Sequence, residues 1–266
     1  YYDARFTPSL IQKSYVDAGF YGRKTGRGFY RYEKESGGAL RKVVTDQQES
    51  PKVSGQSALP AIRLNQLSPF YTAWVERFNK AGIEPHLIET ISAESAPFMT
   101  IGEAECFITK GITATEMAYM RQTQSVVMLD LARDYREAKS IGVSRSENCL
   151  EANFEAVLAV LTALEFNVVE LDDLPGMLVM RTVAMLVNEA SDTVHQGVST
   201  IAEVDTAMTL GVNYPQGPFD WADQIGTGYL CDLLNNLHQR YGDPRYRLSP
   251  LLQHYLYSGR PFYDEA

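Results

Sequence analysis

The chain has 266 residues, 45% of them apolar and 21% charged, enough for a sizeable core and one to two domains and unlike a tail or an array of repeats. A net charge of −9 excludes the basic face that nucleic acid or an anionic membrane would need as main partner. No apolar run approaches the roughly 18 residues of a membrane span and no charged-then-apolar leader opens the chain. The first residue is Tyr1, and the chain is expected to be a fragment of something longer.

Residues 9–17 predict a short helix, followed by the glycine-punctuated loop Gly22-Arg23-Lys24-Thr25-Gly26-Arg27-Gly28-Phe29-Tyr30. Its spacing is not G-x-x-x-x-G-K-[ST] and no strand precedes it, so turn chemistry ending in a packed aromatic pair is preferred to a phosphate loop. Residues 33–58, polar and glycine-containing, are expected to be a linker, with a new domain starting near Leu59.

Residues 61–65 predict a strand, 69–80 a helix stopped by Gly82, and 86–88 a second strand closed by Glu89. That is the order of a dinucleotide-binding βαβ unit with its ribose-binding acid, although any βαβ unit would share the spacing. Where G-x-G-x-x-G belongs the chain reads Gln66-Leu67-Ser68-Pro69-Phe70-Tyr71, whose side chains block close backbone approach and whose Pro69 has no N–H to donate. No NAD should bind there.

An apolar run at 106–109, a helix at 114–121, a strand at 125–131, a helix at 149–164 and a strand at 167–171 continue an alternation that argues for a mostly parallel sheet. The helix at 149–164 carries one apolar stripe: Leu150, Phe154, Val157, Leu158, Leu161 and Leu164. From Asp173 the pattern turns all-helical. A long helix starts at Pro175 and stops at Gly197, with Val179, Val183, Leu186, Val187, Ala190 and Val194 as its buried face. Thr200-Ile201-Ala202-Glu203 is a capping box for the next helix, which Gly211 stops. Pro218 opens a short helix, and Leu230, Leu233, Leu234 and Leu237 stripe another that ends at Gly242.

Cys106, Cys149 and Cys231 are odd in number and widely spaced, which fits neither a disulfide framework nor a zinc knuckle and suits a reducing cytoplasm. His86, His195, His238 and His254 share no ligand spacing and are expected to be exposed singly. No metal site is expected. An internal echo links Asp3-Ala4-Arg5-Phe6, Leu10-Ile11-Gln12 and Gly19 to Asp243-Pro244-Arg245-Tyr246, Leu251-Leu252-Gln253 and Gly259, as if the chain began with the end of an earlier copy of its own last bundle.

Four segments together carry a resemblance. The loop Gly22–Tyr30, Asp173-Leu174-Pro175-Gly176, Glu203-Val204-Asp205-Thr206-Ala207-Met208 and Gly211-Val212-Asn213-Tyr214-Pro215-Gln216-Gly217-Pro218-Phe219 resemble, in this order, the C-terminal domains of 3-hydroxyacyl-CoA dehydrogenases. The two-copy arrangement and the ending Arg240-Tyr241-Gly242-Asp243-Pro244-Arg245-Tyr246-Arg247 look most like the bacterial phenylacetate-pathway branch, the 3-hydroxyadipyl-CoA dehydrogenases. The resemblance implies a degenerate Rossmann-like α/β layer at 59–172, then an all-α helical domain at 173–266 like the C-terminal domain of 6-phosphogluconate dehydrogenase. Residues 1–32 become the end of a first helical domain.

In such enzymes an NAD-binding domain and a helical domain enclose the acyl-CoA. A histidine acts as base on the 3-hydroxyl, a glutamate orients it, and an asparagine contacts the substrate oxygen. At the matching places this chain has Asp130 after the strand Val126-Val127-Met128-Leu129, Gly142, and Met180. An aspartate with an ordinary pKa near 4 is a poor base at pH 7, and a thioether cannot donate. No catalytic or cofactor-binding residue is therefore assigned. Two functions remain open: the C-terminal part of an NAD-dependent 3-hydroxyacyl-CoA dehydrogenase of fatty-acid or aromatic-acid degradation, with NAD held by a missing domain, or a non-catalytic repeat serving as an intramolecular dimerisation module. A homodimer through the helical domains is a further expected partner.

Overall fold

The computed structural model describes residues 7–34, 40–43, 59–88 and 96–263, which separate into two compact units divided at residue 49. In the first, α1 (Leu10–Asp17) starts at Ser9, whose hydroxyl accepts from the Gln12 amide while the Gln12 side chain accepts from the Ser9 amide, a complete capping box. Strands β1 (Arg31–Lys34) and β2 (Leu40–Val43) pair antiparallel, so the stretch expected as linker begins with sheet; residues 44–58 lie outside the described residues, as does Glu89. The aromatic pair expected at Phe29–Tyr30 forms differently. Phe29 stacks on Tyr15 of α1, centroids 4.8 Å apart. Leu10, Ile11, Phe29 and Tyr30 are each at least half exposed.

The second unit opens with β3 (Ile62–Leu64), α2 (Tyr71–Lys80) and β4 (His86–Leu87), and β3 and β4 pair parallel, completing the expected βαβ unit. Then follow β5 (Met99–Ile101), β6 (Ala104–Ile108), α3 (Ala114–Arg121), β7 (Val126–Leu129), β8 (Ser140–Arg145), α4 (Glu151–Ala163) and β9 (Asn167–Glu170). The seven strands lie in the order β4-β3-β5-β6-β7-β8-β9. The expectation of a mostly parallel sheet is corrected: β3–β5, β5–β6 and β7–β8 pair antiparallel. The cause is two strands that periodicity did not reveal. β5 is short and turns back into β6 through Gly102 at φ +57°, and β8 is broken up by serines and Gly142.

Side chains alternate across the sheet. Cys106, Ile108, Val127 and Leu129 face α2 and α4, where Trp74, Phe78, Phe154 and Leu161 are fully buried, while Phe107, Val126 and Met128 face α3. Covered on both faces, β7 is buried at every residue, which is why it reads as the unbroken run Val-Val-Met-Leu.

The bundle comprises α5 (Val179–His195), α6 (Ile201–Gly211), α7 (Pro218–Ile225), α8 (Thr227–Tyr241) and α9 (Pro250–Ser258), with α5 packed against the other four. The long helix begins at Val179, not Pro175. Gly176 at φ +76° and Met177 at φ +49° form a turn ahead of it, and a Cβ on Gly176 would sit 3.1 Å from Leu237. The buried face of α5 is correspondingly rotated: Met180, Val183, Ala184, Val187 and Ala190 are buried, Val179 is exposed and Leu186 only half-buried.

Three aspartates tie these elements together by receiving helix N-termini. Asp173 accepts from the Ala114 and Thr115 amides at the start of α3, and Asp205 from Phe219 and Asp220 at the start of α7. Asp130 does the same for α5. Gly217 leaves the room Asp205 needs, since a Cβ there would overlap its carboxyl group. Thus Val204-Asp205-Thr206-Ala207 and Gln216-Gly217-Pro218-Phe219 form one capped junction.

Candidate functional site

Strands β3, β6 and β7 run parallel to one another, and their carboxyl ends form the edge of the sheet where α/β folds bind ligands. The turn after β3 occupies that edge. Asn65, 2% exposed, accepts the Leu67 amide on Oδ1 and the Ser68 amide on its carbonyl; Ser68 in turn accepts the Phe70 amide on Oγ and the Tyr71 amide on its carbonyl. The amides of Leu67, Ser68, Phe70 and Tyr71 are spent on the turn itself, and Pro69 has none to offer a pyrophosphate.

Phe70 projects from this turn into the junction with the bundle and meets Tyr135 and Tyr229 edge-on at 5.4 and 5.8 Å. The Tyr229 hydroxyl, carried by α8, donates to the carbonyls of Ile108 and Thr109 at the end of β6. Burial pushes the phenols of Tyr135 and Tyr229 up from their ordinary value, so neither is a base near neutral pH. Two cavities remain beside the aromatic plug, 220 Å³ against Trp221 and Arg133 and 120 Å³ against Lys110 and Phe98. Each is smaller than the roughly 300 Å³ at which small-molecule pockets begin.

The three positions marked by the resemblance come together. Asp130, 1% exposed, follows β7 directly and accepts four amides: Leu131 at 2.8 Å and Met180 at 2.9 Å on Oδ1, Leu178 at 3.0 Å and Val179 at 2.8 Å on Oδ2. Its charge lies at the positive end of α5 with its acceptor capacity filled. Gly142 of β8 lies alongside: a Cβ there would stand 3.2 Å from the Asp130 Cβ and 2.7 Å from Leu171 Cδ1. Met180, fully buried, contributes its amide to Asp130. The geometry is that of an aspartate staple joining the sheet to the bundle.

Sequence reading missed Arg77. It is 7% exposed, donates to the carbonyls of Leu164, Tyr135 and Ala138, and lies 3.5 Å from the centroid of the Phe166 ring. Burial pulls its pKa down, against Glu165 and Glu137, which raise it. Its only sequence signal was a charge on the apolar side of α2, beside Trp74 and Phe78. All four histidines are exposed, and among the described residues no cluster of histidine, cysteine and carboxylate groups could hold a metal. The thiols are free, with burial lifting Cys231 to about 12.

Residues 106–175 match the 3-hydroxybutyryl-CoA dehydrogenase reduced Rossmann-fold domain, and residues 176–262 the 3-hydroxyacyl-CoA dehydrogenase C-terminal domain. Residues 106–262 belong to the 3-hydroxyacyl-CoA dehydrogenase family. The chain is 30% identical over 251 residues to the 3-hydroxyadipyl-CoA dehydrogenase of Escherichia coli, covering 94% of this chain and 44% of that protein. It is 28% identical to a probable 3-hydroxybutyryl-CoA dehydrogenase of Bacillus subtilis, over 96% of this chain and 93% of that one. The crystal structure of 3-hydroxybutyryl-CoA dehydrogenase from Escherichia coli K12 superposes with a TM-score of 0.67 at 28% identity, covering 97% of this chain and 46% of that one. The chain thus spans less than half of both Escherichia coli relatives. Its 3-hydroxyacyl-CoA dehydrogenase domains include the Asp130 staple, since the match to the reduced Rossmann domain runs through β7 and β8.

Proposed function

We propose that this chain is the C-terminal portion of an NAD-dependent 3-hydroxyacyl-CoA dehydrogenase, oxidising a 3-hydroxyacyl-CoA to the 3-oxoacyl-CoA in fatty-acid or aromatic-acid degradation. In this reading NAD and the catalytic base belong to a first copy of the fold. Residues 1–32 are that copy's closing piece, and residues 59–266 a second copy kept for structure, with a Rossmann-like layer and a bundle like the C-terminal domain of 6-phosphogluconate dehydrogenase. The observation that carries it is Asp130: the place of the base is held by a carboxylate engaged by four amides, beside a glycine and a buried methionine. Nor do the residues of the β3 turn fit NAD, because their amides are internally bonded and Phe70 fills the space above them.

What this chain supplies is shape. Phe70, Tyr135 and Tyr229 keep water and ligand out of the second cleft, and Asp130 holds α5 at a fixed angle to the sheet. Calorimetric titration of the chain with NAD is expected to release no binding heat, and incubation with 3-hydroxybutyryl-CoA and NAD to produce no NADH. Micromolar NAD binding that Phe70→Ala strengthened would overturn this reading.

A second reading, an intramolecular dimerisation module, draws support from Leu178, Val198 and Leu210, which stand 59%, 73% and 81% exposed on the bundle. It also covers a homodimer through the helical domains. Sedimentation over a wide concentration range distinguishes them: a monomer throughout argues against self-pairing. The three free thiols fit a cytoplasmic site, and no described helix is long and apolar enough to cross a membrane.

A further inference from the structure

Arg77 is a buried charge held by carbonyl groups alone. Its Nε donates to Leu164 at 2.9 Å, and its Nη1 to Tyr135 and Ala138, both at 2.9 Å, and to Arg136 at 3.4 Å. Nη2, with two hydrogens, donates to nothing among the described residues, and no described carboxylate is in ion-pair contact with the guanidinium. Carbonyl oxygens satisfy a donor without neutralising it, so a charge this far from water remains costly until an anion meets it.

Arg77 forms part of the wall of a 480 Å³ cavity where the ends of α2 and α4 meet the loop before β8. This volume passes the roughly 300 Å³ at which small-molecule pockets begin, and neither Phe70 nor Tyr229 of the plugged cleft borders it. Ala81, Ala138 and Ala163 make the room and leave the wall lined with methyl groups. The charges around it are mostly matched: Arg136 is held by Glu76 at 2.6 Å and lies 3.6 Å from Asp134, and Lys80 is 3.7 Å from Glu137. What stays without an ion pair is Arg77 and Lys139 against Glu165, an excess of one positive charge in a chain of net charge −9.

We propose that this cavity binds a small monocarboxylate with an apolar body. One carboxylate oxygen accepts from Arg77 Nη2, Lys139 supplies a second positive charge, and the body lies against the three alanines. Nε and Nη1 are already engaged, so the guanidinium meets the acid through Nη2 alone. A doubly charged phosphate group suits the cavity less, because Glu137 and Glu165 share its wall. The site is separate from the cleft between sheet and bundle and does not depend on which copy of the fold carries out catalysis.

The test follows the Arg77 side-chain N–H resonances, assigned through their contact with the Phe166 ring, while the intact chain is titrated with hexanoate at constant ionic strength. A saturable shift is expected, with none from hexanamide, which has the same body and no charge, and none from chloride. Lys139→Ala is expected to weaken binding roughly two- to fivefold, the effect of one exposed charge. Ala163→Leu, which fills the cavity from an exposed position, is expected to weaken it roughly tenfold or more. Both variants leave the hydrogen bonds of Arg77 in place, and thermal melts confirm that each is folded. An equal response to hexanamide, tighter binding of inorganic phosphate than of hexanoate, indifference to Ala163→Leu, or the lack of any saturable shift would each overturn the carboxylate site.

Discussion

A carboxylate with 1% exposure would be costly in an apolar interior, and Asp130 is tolerated because four amides and a helix terminus surround it. Removing it strands those amides: Asp130→Ala is expected to cost about 2–4 kcal/mol in urea unfolding, and Asp130→Asn less, because an amide oxygen still accepts. A cost for the alanine variant under about half a kcal/mol, within the spread of ordinary surface changes, would mean water replaces the carboxylate. Placing a glutamate at Gly142 to recreate an orienting acid is expected to destabilise more than Gly142→Ala, since its first carbon already crowds Leu171 and Asp130. Arg77 makes a separate case. Its fork serves the end of α4 and the loop before β8 at once, so Arg77→Lys, keeping charge but not geometry, is expected to cost about 1–3 kcal/mol by the same measurement.

Among elements, α5 decides how the bundle meets the sheet. Periodicity put Leu186 on its buried face, where truncation would cost roughly 2–5 kcal/mol. Asp130 sets the start of the helix at Val179, and the half-buried Leu186 is now expected to lose about 1–2 kcal/mol on substitution by alanine. Leu234→Ala, fully buried on α8, should exceed it; the reverse order in paired melts would invalidate the rotated face. The capping box of α6 adds a pH dependence. Glu203 is held below the usual carboxylate range by the Thr200 amide, then by the Thr200 and Ser199 hydroxyls. A depressed folded pKa gives stability that is complete above the unfolded value, about pH 4.3, and is lost as the pH falls through the folded value. Glu203→Gln is thus expected to lower Tm at pH 7 and leave it unchanged once both states are protonated. Asp220 runs the other way, raised by burial and by Asp205, so its contribution improves on acidification.

At the scale of the molecule, what sequence revealed was local. The βαβ spacing at 61–88, the short helix after Ser9, the capping box at Thr200, Pro218 at the first turn of α7 and the leucines of α8 are written in neighbouring residues and appear where expected. Asp130, Gly142 and Met180 could be selected from the resemblance, yet what they do together depends on a turn at Gly176–Met177 with two left-handed residues, which no apolar period encodes. β5 and β8 stayed hidden for a related reason. A three-residue strand carries no period, and one interrupted by Ser140, Gly142 and Ser144 loses the contrast between its faces. Tyr229 closing the end of β6 involves residues about 120 apart in the chain and had no local sign.

The two tryptophans happen to be shared out, one to each half of the second unit. Trp74 is fully buried among Phe98, Tyr135 and Phe166 beneath the sheet, and Trp221 lies in the bundle near Tyr214, each with an indole N–H that finds no acceptor among the described residues. Replaced one at a time by phenylalanine, they turn the protein into its own pair of optical probes, each emitting from a buried site and shifting to the red when its half opens. With Asp130 in place the two emission curves are expected to overlay along a urea gradient. With Asp130→Ala the curves should part, and their separation would measure, in molar denaturant, how much of the joint between sheet and bundle one carboxylate holds.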